Sequence, residues 1–344
     1  MTSWVDAPEV TAALEEAVAA SVAARGVSTP NPPVGAVILA ADGTVAGVGC
    51  TAPAGGPHAE IEALRAAGDD AQGGTAVVTL EPCNHTGRTG PCAVALLEAG
   101  IERVAFAAAD PNPVAAGGAE YLRTHGVEVA HLGFEPWPLR EWLFRQRNGR
   151  PMVTLKLAAT VDGRIGAPDG TSQWITGAEA RERAHVERAQ LDAIVVGTGT
   201  VAADDPALTA RRPDGALHPH QPTRVVLGMR DLPAGARIGD AVHVRSHDPR
   251  AVLDALPDVL NVQVEGGATV AGAFVDAGLV DRVQAYIAPV LLGAGQSAVV
   301  SATVGTLADA LRLRTDSVER LGDDVLLTLS RGEDAGRRGG ARTP

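Results

Sequence analysis

At 344 residues the chain exceeds one ordinary domain, and two are expected. Its 41 acidic residues against 29 basic ones leave a net charge of −12. That balance argues against a polynucleotide partner, because neutralising phosphates takes clustered lysine and arginine.

Hydrophobic residues make up 45% of the chain and aromatics only 3%, so alanine, valine and leucine must fill the cores. Three cysteines are too few for a disulfide scaffold and fit a reducing, cytoplasmic compartment. The start lacks the basic stretch and apolar core of a signal peptide. No apolar run reaches the roughly 18 residues of a membrane span. The expected partner is a small molecule, with no nucleic acid and no membrane.

Residues 9–25 predict a helix with Leu14, Val18 and Val22 as its buried stripe and Gly26 as its end. A rigid proline-rich loop, Thr29 to Gly35, follows. Residues 34–39 and 44–49 predict strands joined through Asp42-Gly43, a hairpin signal. A glycine-rich loop delivers Pro57-His58-Ala59-Glu60 to a helix whose buried side is Ile61 and Leu64. Residues 75–80 predict a buried strand ending at Glu81-Pro82-Cys83, and Cys92 opens another helix. The strand at 103–108 runs into Asp110-Pro111-Asn112-Pro113, and 127–132 predicts the last strand of this half. The first half reads as three-layer α/β, with its site at strand ends.

One histidine and two cysteines in this half suit a catalytic zinc ion, which takes three protein ligands and leaves the fourth position to water. Bound zinc brings the pKa of that water to about 7. Glu60 is not needed as a ligand and can move the proton instead. His-x-Glu followed by Pro-Cys is the pattern of zinc deaminases. Here eight residues, Asn84 to Pro91, separate the cysteines instead of two. That insert is polar and basic and reads as a substrate-facing loop. Each ligand follows a proline and is expected at the mouth of a helix. Cys50 lies outside the motif and reads as structural.

Pro136-Trp137-Pro138 and the polar run Arg145 to Arg150 interrupt the pattern. The boundary is expected near Asn148, giving domains at 1–147 and 148–332 and a disordered polar tail at 333–344. In the second half, strands are expected at 152–158, 192–196, 223–227, 262–265 and 282–289. Gly197-Thr198-Gly199-Thr200 is weak as a dinucleotide fingerprint, because no helix is expected before Asp204-Asp205-Pro206. Gly266-Gly267 before a helix, and the loop Leu291 to Gly295, suit either a phosphate-bearing cofactor or tight structural turns.

These residues resemble a known family. Thr29 to Gly35, Pro57 to Glu60, Thr79 to Cys92 and Asp110 to Pro113 are similar to the deaminase half of the bifunctional riboflavin-biosynthesis deaminase/reductases. Lys156 to Ile165, Ser172 to Thr176, Gly197 to Pro206 and Val264 to Gly267 resemble the reductase half. The resemblance implies a cytidine-deaminase-like domain followed by a dihydrofolate-reductase-like domain. It implies that the 2-amino group of a 2,5-diamino-6-ribosylaminopyrimidinone 5′-phosphate is hydrolysed off, and that the ribosyl group is then reduced to ribityl. The implied cofactors are Zn2+, held by His58, Cys83 and Cys92 with Glu60 as proton shuttle, and NADPH. Asn31, His85, Arg88, Asp110 and Asn112 match the pyrimidine phosphate site. Ala158, Trp174, Thr200, Asp204 and Gly267 match cofactor positions. Lys156, Ser172, Arg188, Leu208, Arg211 and Glu265 match substrate positions.

Arg88, Arg188 and Arg211 each have the fork to hold a phosphate, or lie solvated at the surface. Trp174 either packs against the cofactor or belongs to the core. A homo-oligomer is expected. Thr51, Gly90, Thr160 and Gly228 depart from the family pattern, and lysine is commoner than Arg88 in some members.

Overall fold

A computed structural model describes residues 4–85 and 90–332, so Arg88 and the tail at 333–344 lie outside the described residues. The chain divides into two compact units, Met1–Arg150 and Pro151–Pro344. Among the described residues, no helix is long and apolar enough to cross a membrane.

The first unit runs α1 (Pro8–Ala24), β1 (Gly35–Leu39), β2 (Val45–Cys50), α2 (Ala59–Ala67), β3 (Thr75–Leu80), α3 (Cys92–Glu98), β4 (Arg103–Ala108), α4 (Gly118–Thr124), β5 (Glu128–His131) and α5 (Arg140–Asn148). Its sheet has the order β2-β1-β3-β4-β5. β1 is antiparallel to β2 and β3, and β3, β4 and β5 are parallel.

α1 packs on one face of this sheet, against Val37, Leu39, Val77 and Ala105. Its buried stripe is Val10, Ala13, Ala17, Ser21 and Ala24, not Leu14, Val18 and Val22. α2 likewise buries Ala59, Glu60, Ala63 and Ala67 rather than Ile61 and Leu64. The reason is distance. β2 carries Gly47 and Gly49 under α2, where a Cβ would come within 2.3 and 2.4 Å of the carbonyls of Ala63 and Ala59. A helix seated that close favours small side chains such as Ala59, Ala63 and Ala67 where it meets β2.

α5 was not expected. The polar run Arg145 to Arg150 reads as an interruption, yet Arg145 to Asn148 form its last turn and Gly149, left-handed, ends it. The helix is fastened to the end of α1. The Arg25 guanidinium holds the Glu141 carboxylate through two hydrogen bonds of 2.7 and 3.1 Å. The two side chains are only 10% and 8% exposed. Burial pushes the Glu141 carboxyl up, but the Arg25 charge outweighs it and holds it below the usual range.

The second unit runs β6 (Met152–Thr160), β7 (Arg164–Gly166), α6 (Ala178–Arg188), β8 (Ala193–Gly197), α7 (Thr198–Asp204), β9 (Thr223–Leu227), β10 (Val242–Val244), α8 (Arg250–Asp254), β11 (Asn261–Val264), α9 (Ala268–Asp276), β12 (Arg282–Ala288), β13 (Gln296–Ser297), β14 (Leu313–Leu321) and β15 (Asp324–Arg331). The main sheet has the order β10-β9-β8-β11-β6-β12-β15-β14. It is parallel from β10 to β12, then antiparallel through β15 and β14.

Both faces of the parallel part are covered, as such sheets require. Val195, Val225 and Val262 face Ala271 and Phe274 of α9. Ile194, Val196 and Val226 face Val201, Leu208 and Ile238. β11 returns between β8 and β6, so the chain reverses its direction of travel across the sheet there. Ligands of open α/β sheets bind at the carboxyl ends of the strands beside such a reversal.

One expectation changes in this unit, and one open alternative narrows. A helix, α7, does follow Gly197. Its buried residue is Val201, and it ends at Asp205, which takes a left-handed conformation with φ +41°. The loop Leu291 to Gly295 is a structural turn. The Asp162 carboxylate accepts the N–H groups of Leu292 and Gly293, at 3.2 and 2.7 Å, which a phosphate would need. A hydrogen bond from Thr160 and those two amides hold the Asp162 carboxyl down at about 2.

Candidate functional site

In the first unit, His58 caps α2 and Cys92 begins α3, while Cys83 sits in the loop after β3 rather than at a helix mouth. The His58 Nδ1 atom lies 3.6 Å from the Cys83 sulfur and 3.3 Å from the Cys92 sulfur. All three donor atoms lie within 4.8 Å of one another. Zinc–nitrogen and zinc–sulfur bonds of ordinary length, set at a tetrahedral angle, separate such ligands by about 3.5 Å. The donor set therefore fits zinc in identity and spacing, with three protein ligands and an open fourth position.

A hydrogen bond from Cys92 pulls the Cys83 thiol below its usual range, while the same contact pushes the Cys92 thiol up. The backbone N–H of Cys92 also donates to the Cys83 sulfur at 3.4 Å. Thiolate is the form of cysteine that binds metal.

Beside these ligands is a cavity of about 230 Å3. Its walls bring together Asn31, His58, Glu60, Cys83, His85, Asp110 and Asn112. Glu60 is 4% exposed. Burial, reinforced by the Cys83 thiolate, pushes its carboxyl up to about 7. Burial also raises Asp110, against a hydrogen bond from the Asn112 N–H. The Nδ1 atom of His85 is buried without a hydrogen-bond partner among the described residues.

In the second unit, Lys156 lies on β6, Glu265 just past β11 and Arg188 at the end of α6. Glu265 joins the other two. Arg188 donates from Nε and Nη2 to its two carboxylate oxygens, at 2.9 and 2.7 Å, and Lys156 Nζ lies 3.5 Å from Oε2. Gln263 adds an amide at 2.9 Å. Burial pushes the Glu265 carboxyl up, but Arg188 and Lys156 together hold it far below the usual range. The Arg188 fork thus closes on Glu265, and at 15% exposure its side chain does not lie solvated at the surface.

The remaining positions are spread more widely. Ser172 donates to Asp204 at 3.3 Å. A Cβ on Gly267 would lie 3.7 Å from the Thr200 hydroxyl, so these two cofactor positions adjoin. Gly267 caps α9, whose first N–H groups suit an anionic group of a dinucleotide. Ala158 lies on β6 opposite Tyr286 of β12. Trp174 is 71% exposed, with the Arg181 guanidinium 4.7 Å above its ring, and so is not a core tryptophan. Leu208 is buried in the core, with φ +51°. Arg211 is held by Thr209 and the Gly215 carbonyl and stays exposed.

The family model of the cytidine and deoxycytidylate deaminase zinc-binding region matches residues 9–108, and that of the RibD C-terminal domain matches 151–327. The riboflavin biosynthesis protein RibD of Mycobacterium tuberculosis is 51% identical over 313 residues, 89% of this chain and 92% of the relative. The chain belongs to the RibD family. Solved structures agree with this. RibD of Acinetobacter baumannii superposes with a TM-score of 0.82 at 36% identity, covering 94% of this chain and 99% of that one. A Thermotoga maritima structure described as a diaminohydroxyphosphoribosylaminopyrimidine deaminase/5-amino-6-(5-phosphoribosylamino)uracil reductase gives 0.84 at 31% identity, covering 93% and 98%. The first unit is thus of the cytidine and deoxycytidylate deaminase kind and the second is a RibD C-terminal domain.

Among the further residues that line the cavity of this RibD-family chain are Thr51, Glu81, Trp142 and Gln146. Thr51 stands where the family commonly has histidine. Its hydroxyl accepts the Val34 N–H at 3.1 Å and so steadies the proline-rich loop. Glu81 ties down the loop that carries Asp110 and Asn112. Its carboxylate accepts the N–H groups of Gly117 and Ala119, each at 3.1 Å, and of Asp110 at 3.4 Å. Its place in Glu81-Pro82-Cys83 was the only hint.

Gly228 has a structural reason of its own. Its φ is +137°, and a Cβ there would lie 2.5 Å from the Thr198 hydroxyl at the start of α7. Gly228→Ala is expected to cost about 1–3 kcal/mol of stability and to raise the KM for NADPH. Shortening the neighbour with Thr198→Gly recovers part of both losses. Thermal unfolding and reductase kinetics on the single and double variants measure it.

Proposed function

We propose that this chain hydrolyses the 2-amino group from 2,5-diamino-6-ribosylamino-4(3H)-pyrimidinone 5′-phosphate in its first domain, 1–147. The second domain, 148–332, then reduces the ribosyl side chain with NADPH, giving 5-amino-6-(5-phosphoribitylamino)uracil. The observation that carries this is the convergence of His58, Cys83 and Cys92 at zinc-ligand spacing beside a buried Glu60, in one cavity with four further polar residues named from the resemblance.

Zinc, when bound, supplies a water acidified to about pKa 7. His58 and the two cysteines would hold the ion beside the cavity. The Glu60 carboxylate takes the proton lost by the water that adds to the amino-bearing carbon, and returns it to the amine as the carbon–nitrogen bond breaks. Asn31, Asp110 and Asn112 present amide and carboxylate groups to the polar edge of the pyrimidine. His85 offers its unpartnered nitrogen to the same ligand.

NADPH, when bound, supplies the hydride. Lys156 is the cation of the second unit best placed for the sugar. Glu265 holds it from one side, and the Tyr286 ring centroid lies 5.4 Å from its ammonium on another. Arg188 acts through Glu265. Arg211, exposed, is left to meet the phosphate. Supporting a cytoplasmic setting, Cys50, Cys83 and Cys92 are all free thiols. Sedimentation of the purified chain measures the homo-oligomer that belongs to the same proposal.

The test is a coupled assay on the zinc-loaded chain, following ammonia and nicotinamide absorbance. Ammonia is expected without NADPH, and NADPH oxidation only after ammonia has formed. Ammonia with no NADPH oxidation at any stage would leave a deaminase whose second domain only binds.

A further inference from the structure

α5 lies beyond residues 9–108, the part matched by the zinc-binding family model, yet it supplies two residues to the wall of the deaminase cavity. They are Trp142 and Gln146. Their spacing of four places them on one helix face, a turn apart. Trp142 is 4% exposed, whereas Gln146 is exposed. The face therefore runs from a buried aromatic wall to a neutral amide at the mouth.

The helix is held firmly enough for that face to matter. Besides its ion pair with Glu141, Arg25 donates to the Pro138 carbonyl at 3.2 Å, and its guanidinium lies 4.9 Å from the Trp137 ring. The turn leading into α5 and the first turn of α5 itself are thus both fastened to the end of α1.

The reacting end of the cavity is set by His58, Cys83 and Glu60. A ring that brings its amino-bearing carbon there must direct its other substituents toward the mouth. Under the function proposed above, on which this inference rests, the substituent there is a ribosyl phosphate. We propose that Gln146 is a specificity-determining residue for deamination. Its amide donates a hydrogen bond to the ribosyl phosphate arm at the mouth, and Trp142 forms the flat wall behind it. A bond to a part of the substrate that does not react acts equally on the bound substrate and the transition state. It therefore appears in KM and not in kcat.

The test is steady-state ammonia release by the zinc-loaded full chain, comparing wild type with Gln146→Ala and Gln146→Glu. Each is assayed on the ribosyl phosphate substrate and on the dephosphorylated riboside. Gln146→Ala is expected to raise KM for the phosphorylated substrate about five- to tenfold, with kcat within about twofold of wild type. Gln146→Glu, which sets a carboxylate against the phosphate, raises KM further. On the riboside the glutamate variant loses its extra penalty over alanine. Zinc content and thermal midpoint stay at wild-type values in both variants, which separates a lost contact from a damaged fold. An unchanged KM in Gln146→Ala, or a glutamate penalty equally large on the riboside, overturns the assignment. If the wild type releases no ammonia from the phosphorylated substrate, the function itself fails. Release with a KM indifferent to residue 146 sinks this inference alone.

Discussion

Glu60→Gln is expected to keep its zinc and lose deamination by about 10²–10⁴-fold, the usual weight of a positioned general acid–base group. Glutamine has the shape of glutamate but no proton to accept or return. The side chain sits in the buried first turn of α2, at 4% exposure, against the ligand cluster. A neutral amide there has less desolvation to overcome than a carboxylate, so the fold is not endangered. Three measurements separate the cases. Metal analysis is expected to give the wild-type zinc content. Ammonia release falls while KM stays close to wild type, as befits a group that acts only on the reacting atoms. Reduction of substrate that has already been deaminated proceeds at the wild-type rate. Normal ammonia release by this variant would falsify the proton-shuttle role. Loss of zinc alongside activity would reassign Glu60 to holding the centre together.

The chemistry of the first unit was more legible than its packing. Asp42-Gly43 between two apolar runs is a local signal, and β1 and β2 pair around it. The histidine, glutamate and cysteine types name their own chemistry, and the prolines before them mark where the chain stops being regular. Which face of α1 or α2 is buried is not local information. It depends on Gly47 and Gly49 on another element drawing α2 in until small side chains are favoured. Leucine and valine at helical spacing point to the wrong stripe when the true stripe is alanine. α5 was hidden for a related reason. Its sequence is mostly polar, and its anchor is an ion pair with Arg25, 116 residues earlier. Consequently Trp142 and Gln146 carried no signal as cavity residues.

In the second unit the resemblance named residues one by one, and how they are wired to one another was not legible. Lys156, Arg188 and Glu265 were each marked through the resemblance, but Arg188 was left between a phosphate and a solvated surface position. Only the fold shows that its fork closes on Glu265. The two glycine-rich loops look alike in sequence. They part company because Asp162 satisfies the amides of one, while Gly267 caps α9 beside Thr200 in the other.

Glu265→Ala is expected to destabilise the second unit by about 3–5 kcal/mol, because it leaves the partly desolvated charges of Lys156 and Arg188 facing each other uncompensated. Those side chains are each 15% exposed, so water screens them only in part. Reduction should be lost with stability, since Lys156 loses the carboxylate that aims it, while ammonia release by the first unit persists. Adding Arg188→Met to the alanine variant removes one of the stranded charges. The double variant is therefore expected to be more stable than the sum of the single losses predicts. The effect also has a pH signature. The Glu265 carboxyl is held below its unfolded value of 4.5 by Arg188 and Lys156. Its contribution is therefore fully present above that value and drains away as pH falls below it. The gap in unfolding free energy between wild type and Glu265→Ala should be flat above about pH 6 and narrow steadily below about pH 4.5. Denaturant titrations across that range measure it. A gap that widened on acidification, or an additive double variant, would mean that Glu265 is not the counter-charge that holds the cluster together.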